Sequence, residues 1–127
     1  MQNFWELFAA AAARHADRIA IEVQRENGVD SLTYARLRGN AERVGRWLQT
    51  CGIGPGDRGA ILAENGARWC SAYLALLRIG AVAVPLDTAY KPVQVATLLA
   101  DSGARVLFTS PRFVATALEA RTLSAVD

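Results

Sequence analysis

Apolar residues near the start of the chain recur at helical spacing. Phe4, Leu7, Phe8 and Ala11 share one face of a helix predicted over about residues 3–14. Residues 19–24 read Ile-Ala-Ile-Glu-Val-Gln, a strand ended by Asn27-Gly28, a strong turn pair. Ser31-Leu-Thr33 predicts a short second strand and closes a hairpin. Thr33 is placed to cap the next helix, its hydroxyl accepting from a free backbone N–H. Three residues on stands Arg36, so the reciprocal half of a capping box is absent.

A second helix is predicted over about residues 34–50. Leu37, Ala41, Val44 and Leu48 form its apolar stripe, while Arg36, Arg43 and Arg46 lie elsewhere on it and read as a solvated face. Glu42 precedes Arg46 by four residues, the favourable order for a surface pair. Gly52 stops this helix where a left-handed residue is wanted. The run Gly52-Ile-Gly-Pro-Gly-Asp57 is glycine-rich but follows a helix and precedes a strand. A phosphate-binding dinucleotide loop needs the reverse order, so the run reads as a helix stop and a turn centred on Pro55-Gly56.

Residues 58–63 predict a strand, and Asn65-Gly66 a turn. Residues 67–79 form a helix apolar nearly all round, carrying Trp69, Cys70, Tyr73, Leu74, Leu76, Leu77 and Ile79, which implies cover on more than one side. Gly80 ends it. Residues 81–86 are continuously apolar, the mark of a parallel strand covered on both faces. Pro92 opens a helix on which Val95, Leu98, Leu99 and Ser102 share a face, and Gly103 ends it. Residues 105–109 predict another strand, and Pro111 opens a final helix to about residue 120. From residue 34 helices and strands alternate strictly. The expected fold is therefore α/β: a mainly parallel, doubly wound sheet with helices on both faces, plus a short N-terminal hairpin.

Composition narrows the function classes. The 127 residues are 52% hydrophobic and 20% charged, which excludes intrinsic disorder, and the length suits one ordinary domain. The net charge is only +2, with no dominating basic run, so nucleic acid is not an expected partner. Of the 14 cations only Lys91 is a lysine. Glu6 interrupts the apolar start and no basic segment precedes it, so it does not read as a signal peptide. Arg78 breaks the most hydrophobic region, and no transmembrane segment is predicted. Cys51 and Cys70 sit in no C-x-x-C pair and read as reduced, core-packed thiols of a cytoplasmic protein. His15, the lone histidine, is expected to end the first helix. With one histidine, neither a His-based zinc site nor a Ser/His relay can be assembled within the chain, and no metal ligands are expected.

Several segments, in order, resemble the opening of the adenylate-forming enzymes, the superfamily of acyl-CoA synthetases, luciferases and peptide-synthetase adenylation domains. Leu32-Thr-Tyr-Ala-Arg-Leu37 is similar to that family's first signature, and Gly52-Ile-Gly-Pro-Gly-Asp-Arg58 to its second. Glu64-Asn65, the apolar helix and Gly80-Ala-Val-Ala-Val-Pro-Leu86 resemble its third, and Asp101-Ser-Gly-Ala-Arg-Val106 its fourth. Pro85-Leu-Asp-Thr-Ala-Tyr90 leans toward acyl-CoA synthetases. The resemblance implies ATP-dependent activation of a carboxylic acid to an acyl-adenylate, then thioester formation with CoA, with Mg²⁺ and cations around the phosphates.

The sequence departs from that family's pattern in stopping early: the Ser/Thr/Gly-rich phosphate loop and its lysine are missing, and Thr109-Ser110 is not that loop's start, because Pro111-Arg112-Phe113 follows where glycines are needed. Residues 1–127 are accordingly expected to be the N-terminal subdomain of an AMP-binding, acyl-CoA synthetase-like domain, ending before the phosphate loop. No catalytic residue is expected within it, and the piece alone needs no cofactor. ATP, Mg²⁺ and CoA are implied for the full-length enzyme. Lys91, in a loop after a strand on what would be the CoA side, is the one cofactor-binding candidate, against its alternative as a solvated loop lysine. Tyr90 reads as a packing residue. Trp47 and Trp69 read either as core or as cover for the surface meeting the rest of the enzyme, and that surface offers a route to self-association. Two other classes stand beside this one. The first is a non-catalytic, truncated paralogue acting as an interaction module. The second is a receiver-like signalling domain, which would need clustered carboxylates that no strand end here supplies.

Overall fold

Helix α1 (Phe4–Arg14) opens the chain and is followed by a hairpin of β1 (Ile19–Arg25) and β2 (Gly28–Thr33). Then come α2 (Tyr34–Thr50), β3 (Arg58–Leu62), α3 (Ala67–Arg78), β4 (Val82–Pro85), α4 (Pro92–Ser102) and β5 (Val106–Thr109). A 3₁₀ turn at Pro111–Phe113 leads into α5 (Val114–Ser124). The computed structural model describes residues 3–124.

The parallel sheet has the order β4-β3-β5, with Ala60 of the central strand opposite Val84 on one side and Leu107 on the other. Strand alternation splits β3 between two cores. Ala60 and Leu62 face Val95 and Leu99 of α4 and Ala117 and Ala120 of α5. Ile61 faces Leu48 of α2 and Ala75 and Leu76 of α3. Helices therefore cover both faces, as the alternating pattern implies. A third cluster holds α1 and the hairpin against the outer side of α2 and α3: Leu37, Ala41 and Leu74 pack with Trp5, Phe8, Ile21 and Leu32.

The hairpin is its own two-stranded antiparallel sheet. Its tip is Glu26-Asn27 rather than Asn27-Gly28, because Gly28 already pairs with Arg25 and takes φ +136° as the first residue of β2. Thr33 caps α2 as expected, accepting from Arg36 N–H at 3.2 Å. His15 sits at the C-terminal cap of α1. Glu42 pairs with Arg38, one turn before it, at 3.6 Å, and not with Arg46. The apolar run 81–86 yields only the short strand β4, and it lies at the edge of the sheet. Ala83 and Val84 pack on opposite cores, but Val82 is half-exposed because β4 has a strand on one side only. Ending an edge strand in Pro85 is consistent with that position.

The two cysteines are free thiols. Cys51 is exposed, contrary to the core reading, because it caps α2 just before the chain turns at Gly52, whose φ is +81°. Cys70 is half-buried against the third cluster, and burial raises its thiol pKa. Among the described residues no helix is long and apolar enough to cross a membrane.

Gly54-Pro-Gly-Asp57 is a turn closed by Asp57 N–H donating to Gly54 C=O at 3.1 Å. Asp57 Oδ2 accepts in return from Gly54 N–H at 2.8 Å and from Arg105 Nη1 at 3.0 Å. Arg105 also donates to Gly52 C=O at 3.2 Å. The glycine-rich run is thus a clasp tying the entry of β3 to the entry of β5. It lies at the N-terminal edge of the parallel sheet, the end opposite to where open α/β sheets receive ligands.

Candidate functional site

The C-terminal edge of the sheet gathers three chain ends: the β3–α3 loop at residues 63–66, the β4–α4 loop at residues 86–91, and Ser110 after β5. Each begins where a buried strand must release the chain, so polar side chains there are held by the sheet behind them.

Ser110 is buried and donates its hydroxyl to Glu64 Oε2 at 2.6 Å, joining the ends of β3 and β5. Glu64 itself is exposed. Its carboxyl is held below the usual carboxylate range, chiefly by that hydroxyl and then by its own backbone N–H. Partial desolvation opposes the shift, and the positive charges of Arg112 and Arg25 reinforce it.

Two clefts flank this link. One, of about 370 Å³, lies between α2, α3 and the end of β5, with an apolar floor that includes Val44, Ile61 and Phe108. Arg43 of α2 and Arg68 of α3 line it. The other, of about 440 Å³, lies between the hairpin and the β3–α3 loop and is lined by Arg25, Asp30, Glu64 and Asn65 among others. Helix α3 enters both clefts at its first turn, and its cap, Gly66, supplies no side-chain acceptor.

Lys91 stands at the N-terminal cap of α4. Its backbone N–H donates to Gln94 Oε1 at 2.8 Å. The side chain is exposed and its ammonium makes no ion pair among the described residues. It follows edge strand β4, on the side of β3 away from β5, and lines neither cleft. An exposed, unpaired ammonium at the C-terminal edge of the sheet is chemically fit to meet a phosphate. Tyr90 is half-buried against the core formed by α4 and α5. Trp69 stacks on Tyr73, with ring centroids 5.2 Å apart, and lines the first cleft. Trp47 is 49% exposed and sets its ring edge against Phe108 at 6.2 Å. Among the described residues no three His, Cys, Asp or Glu side chains are grouped to hold a metal.

The link between Glu64 and Ser110 was not among the sequence-derived candidates. The signal for it was present: each residue stands within two positions of the end of a strand in an alternating α/β pattern. What the sequence could not show is that β3 and β5 are neighbours.

The profile of the family described as AMP-binding enzyme matches residues 8–127. Over 102 residues the chain is 39% identical to surfactin synthase subunit 1 of Bacillus subtilis, which covers 80% of this chain and 3% of that protein. Over 76 residues it is 37% identical to a long-chain-fatty-acid–CoA ligase of Mycobacterium tuberculosis, covering 60% of this chain and 15% of the ligase. Among solved structures, a benzoate CoA ligase from Burkholderia xenovorans superposes with TM-score 0.86 at 26% identity, over 96% of this chain and 24% of that one. The N-terminal domain of FACL13 from Mycobacterium tuberculosis superposes with TM-score 0.85 at 28% identity, over 92% of this chain and 29% of that domain. The chain spans less than a third of each of these proteins.

Proposed function

The chain belongs to the AMP-binding enzyme family, and from that premise we propose that residues 1–127 are the N-terminal subdomain of an acyl-CoA synthetase-type enzyme. In this reading the subdomain supplies a doubly wound layer on which the rest of the enzyme builds its site. The whole enzyme would activate a carboxylic acid with ATP and Mg²⁺ and pass the acyl group to CoA. The observation that carries the proposal is the family match over residues 8–127 together with superposition on CoA ligases across nearly the whole chain. The segment Pro85-Leu-Asp-Thr-Ala-Tyr90 supports the acyl-CoA synthetase branch.

By itself the chain has little means of phosphoryl chemistry. Crowded negative charge at an α-phosphate calls for preorganised cations and backbone donors. After Thr109-Ser110 the sequence runs into Pro111 instead of glycines, and Lys91 is the one lysine. The pure 127-residue chain is expected to show no ATP–pyrophosphate exchange above background with any carboxylic acid. Exchange above background would refute the reading.

Lys91 is proposed to meet a phosphate of CoA in the complete enzyme. The test is a chimera in which this chain replaces the matching part of the Burkholderia ligase. Lys91→Ala should raise KM for CoA severalfold and leave acyl-adenylate formation unchanged. An unchanged KM would leave Lys91 a solvated loop residue. The half-exposed Trp47, Val82 and Leu118 are proposed to pack on the remainder of the enzyme. Sedimentation of the isolated chain should then show weak, concentration-dependent self-association, and a strict monomer at high concentration would count against that packing.

A further inference from the structure

We infer that the cleft between α2, α3 and the end of β5 is a docking groove for an acidic amphipathic helix of a partner protein. Its lining includes the apolar side chains of Val44, Ile61, Trp69 and Phe108, and no Asp or Glu. The hydroxyls in it are already engaged within the chain. Ser71 donates to Ala67 C=O at 2.7 Å, Ser110 to Glu64 at 2.6 Å, and Thr109 to Ser110 C=O at 3.3 Å. The floor therefore offers surface to apolar side chains and no free hydroxyl proton to orient a buried polar ligand.

The charge stands at the rim. Arg43 of α2 and Arg68 of α3 line the cleft, and both are exposed. Arg43 bonds only the neutral side chain of Asn40, and Arg68 makes no ion pair or hydrogen bond among the described residues. The imbalance extends along both walls. Four arginines on α2 and two on α3 face one carboxylate on those helices, Glu42, and it already pairs with Arg38. An apolar centre bordered by exposed guanidiniums has the anatomy of a protein interface, where charge is kept at the rim and aromatic and arginine side chains carry much of the binding energy. The partner's charge must be negative, and the paired N–H donors of a guanidinium match the carboxylates of Asp and Glu. A groove between two helices grips a partner by its side chains, as it does a helix with apolar residues at i, i+3 and i+4, whereas an added strand needs a row of free main-chain groups. A nucleic-acid backbone would satisfy the arginines and leave the apolar floor bare. This inference stands on the cleft and its walls alone and is independent of the family reading.

The test is titration of the ¹⁵N-labelled 127-residue chain with a synthetic peptide carrying leucines and a phenylalanine on one helical face and glutamates on the other, with calorimetry for stoichiometry. The expected result is saturable one-to-one binding, with the largest amide shifts at Val44, Ala63, Ala72 and Thr109 and a gain of peptide helix in the far-UV circular dichroism difference spectrum. The double variant R43Q/R68Q should weaken binding at least tenfold, whereas R58Q, at the opposite end of the sheet, should change it less than twofold. Replacing the peptide's glutamates by glutamines, or its apolar residues by serines, should each weaken binding at least tenfold, and these two arms keep the test on the unaltered chain. A DNA duplex should bind at least tenfold more weakly than the peptide. Circular dichroism of the protein variants, whose changes are at exposed side chains, checks that the fold is kept. Equal binding of the glutamine or the serine peptide, equal binding of DNA, indifference to R43Q/R68Q, shifts centred elsewhere, no gain of helix, or no saturation would each overturn the inference.

Discussion

Gly59 is the point at which the central strand leaves no room for a side chain. A Cβ built there would stand 2.5 Å and 3.0 Å from the two methyls of Leu76 and 3.1 Å from Val106 Cγ1. Leu76 is fully buried between β3 and α2, so its methyls cannot swing aside into solvent. Gly59→Ala therefore overpacks the core, at a cost of ~1–3 kcal/mol. Alanine also restricts the unfolded chain, which returns ~0.4–1 kcal/mol because no positive φ is involved. The net expectation is a loss of ~1–2 kcal/mol. With a urea m-value of ~1–3 kcal/mol/M, that lowers the midpoint by roughly 0.3–2 M. Leu76→Ala alone leaves a cavity and should cost ~2–5 kcal/mol. In the double variant the new methyl occupies part of that cavity, so its loss should fall short of the sum of the singles by ~1 kcal/mol or more. Urea unfolding of all four proteins followed by far-UV circular dichroism closes the cycle. A neutral Gly59→Ala, or strict additivity of the pair, would refute the packing argument.

Ser110→Ala removes the main cause of the lowered Glu64 pKa, so the Glu64 carboxyl should titrate closer to its ordinary range in a ¹³C-detected NMR titration. Because the folded pKa is depressed, Glu64 contributes stability above its unfolded pKa and loses it as pH falls through the folded value. The Ser110→Ala variant should therefore lose less stability than the wild type on acidification below about pH 4.5, the ordinary value of the carboxyl. Asp57→Ala should cost ~1–2 kcal/mol, since it strands the Gly54 N–H as well as Arg105. Arg105→Ala, at a half-exposed ion pair, should cost under ~1 kcal/mol by the same denaturation assay. Iodoacetamide should alkylate Cys51 well before Cys70 in the native chain, read by peptide mass spectrometry, because Cys51 is exposed while burial holds the Cys70 thiol protonated.

The layered fold could be read from periodicity because each element carried its own signal. The stripe Leu37, Ala41, Leu48 is buried as one face of α2, and glycines at 52, 80 and 103 stop three helices in left-handed geometry. The parts that were misread or left open depend on neighbours. The apolar run 81–86 does form a parallel strand packed on both faces, but its composition does not show sheet order: hydrogen bonding places β3 in the middle and β4 at the edge. Cys51 reads as a small hydrophobe, yet its position at a helix terminus exposes it. Glu42 has an arginine four residues away on both sides, and spacing alone does not choose between Arg38 and Arg46.

The site is less readable than the fold for a related reason. A sequence shows which residues end strands, but a functional edge is made by strands that are distant in the chain. Glu64 and Ser110 are 46 residues apart and meet only because β5 inserts beside β3, leaving β4 on the far side. The same crossover separates Lys91, which follows edge strand β4, from both of them. The cleft bounded by Arg43 and Arg68 likewise exists only once α2 and α3 lie side by side on one face of the sheet. In this fold the strand order, more than the identity of any one residue, decides which polar groups act together. Substitutions that alter the β3–β5 pairing should therefore disturb the Glu64–Ser110 link and the adjoining cleft together, while leaving the Lys91 loop on α4 largely in place.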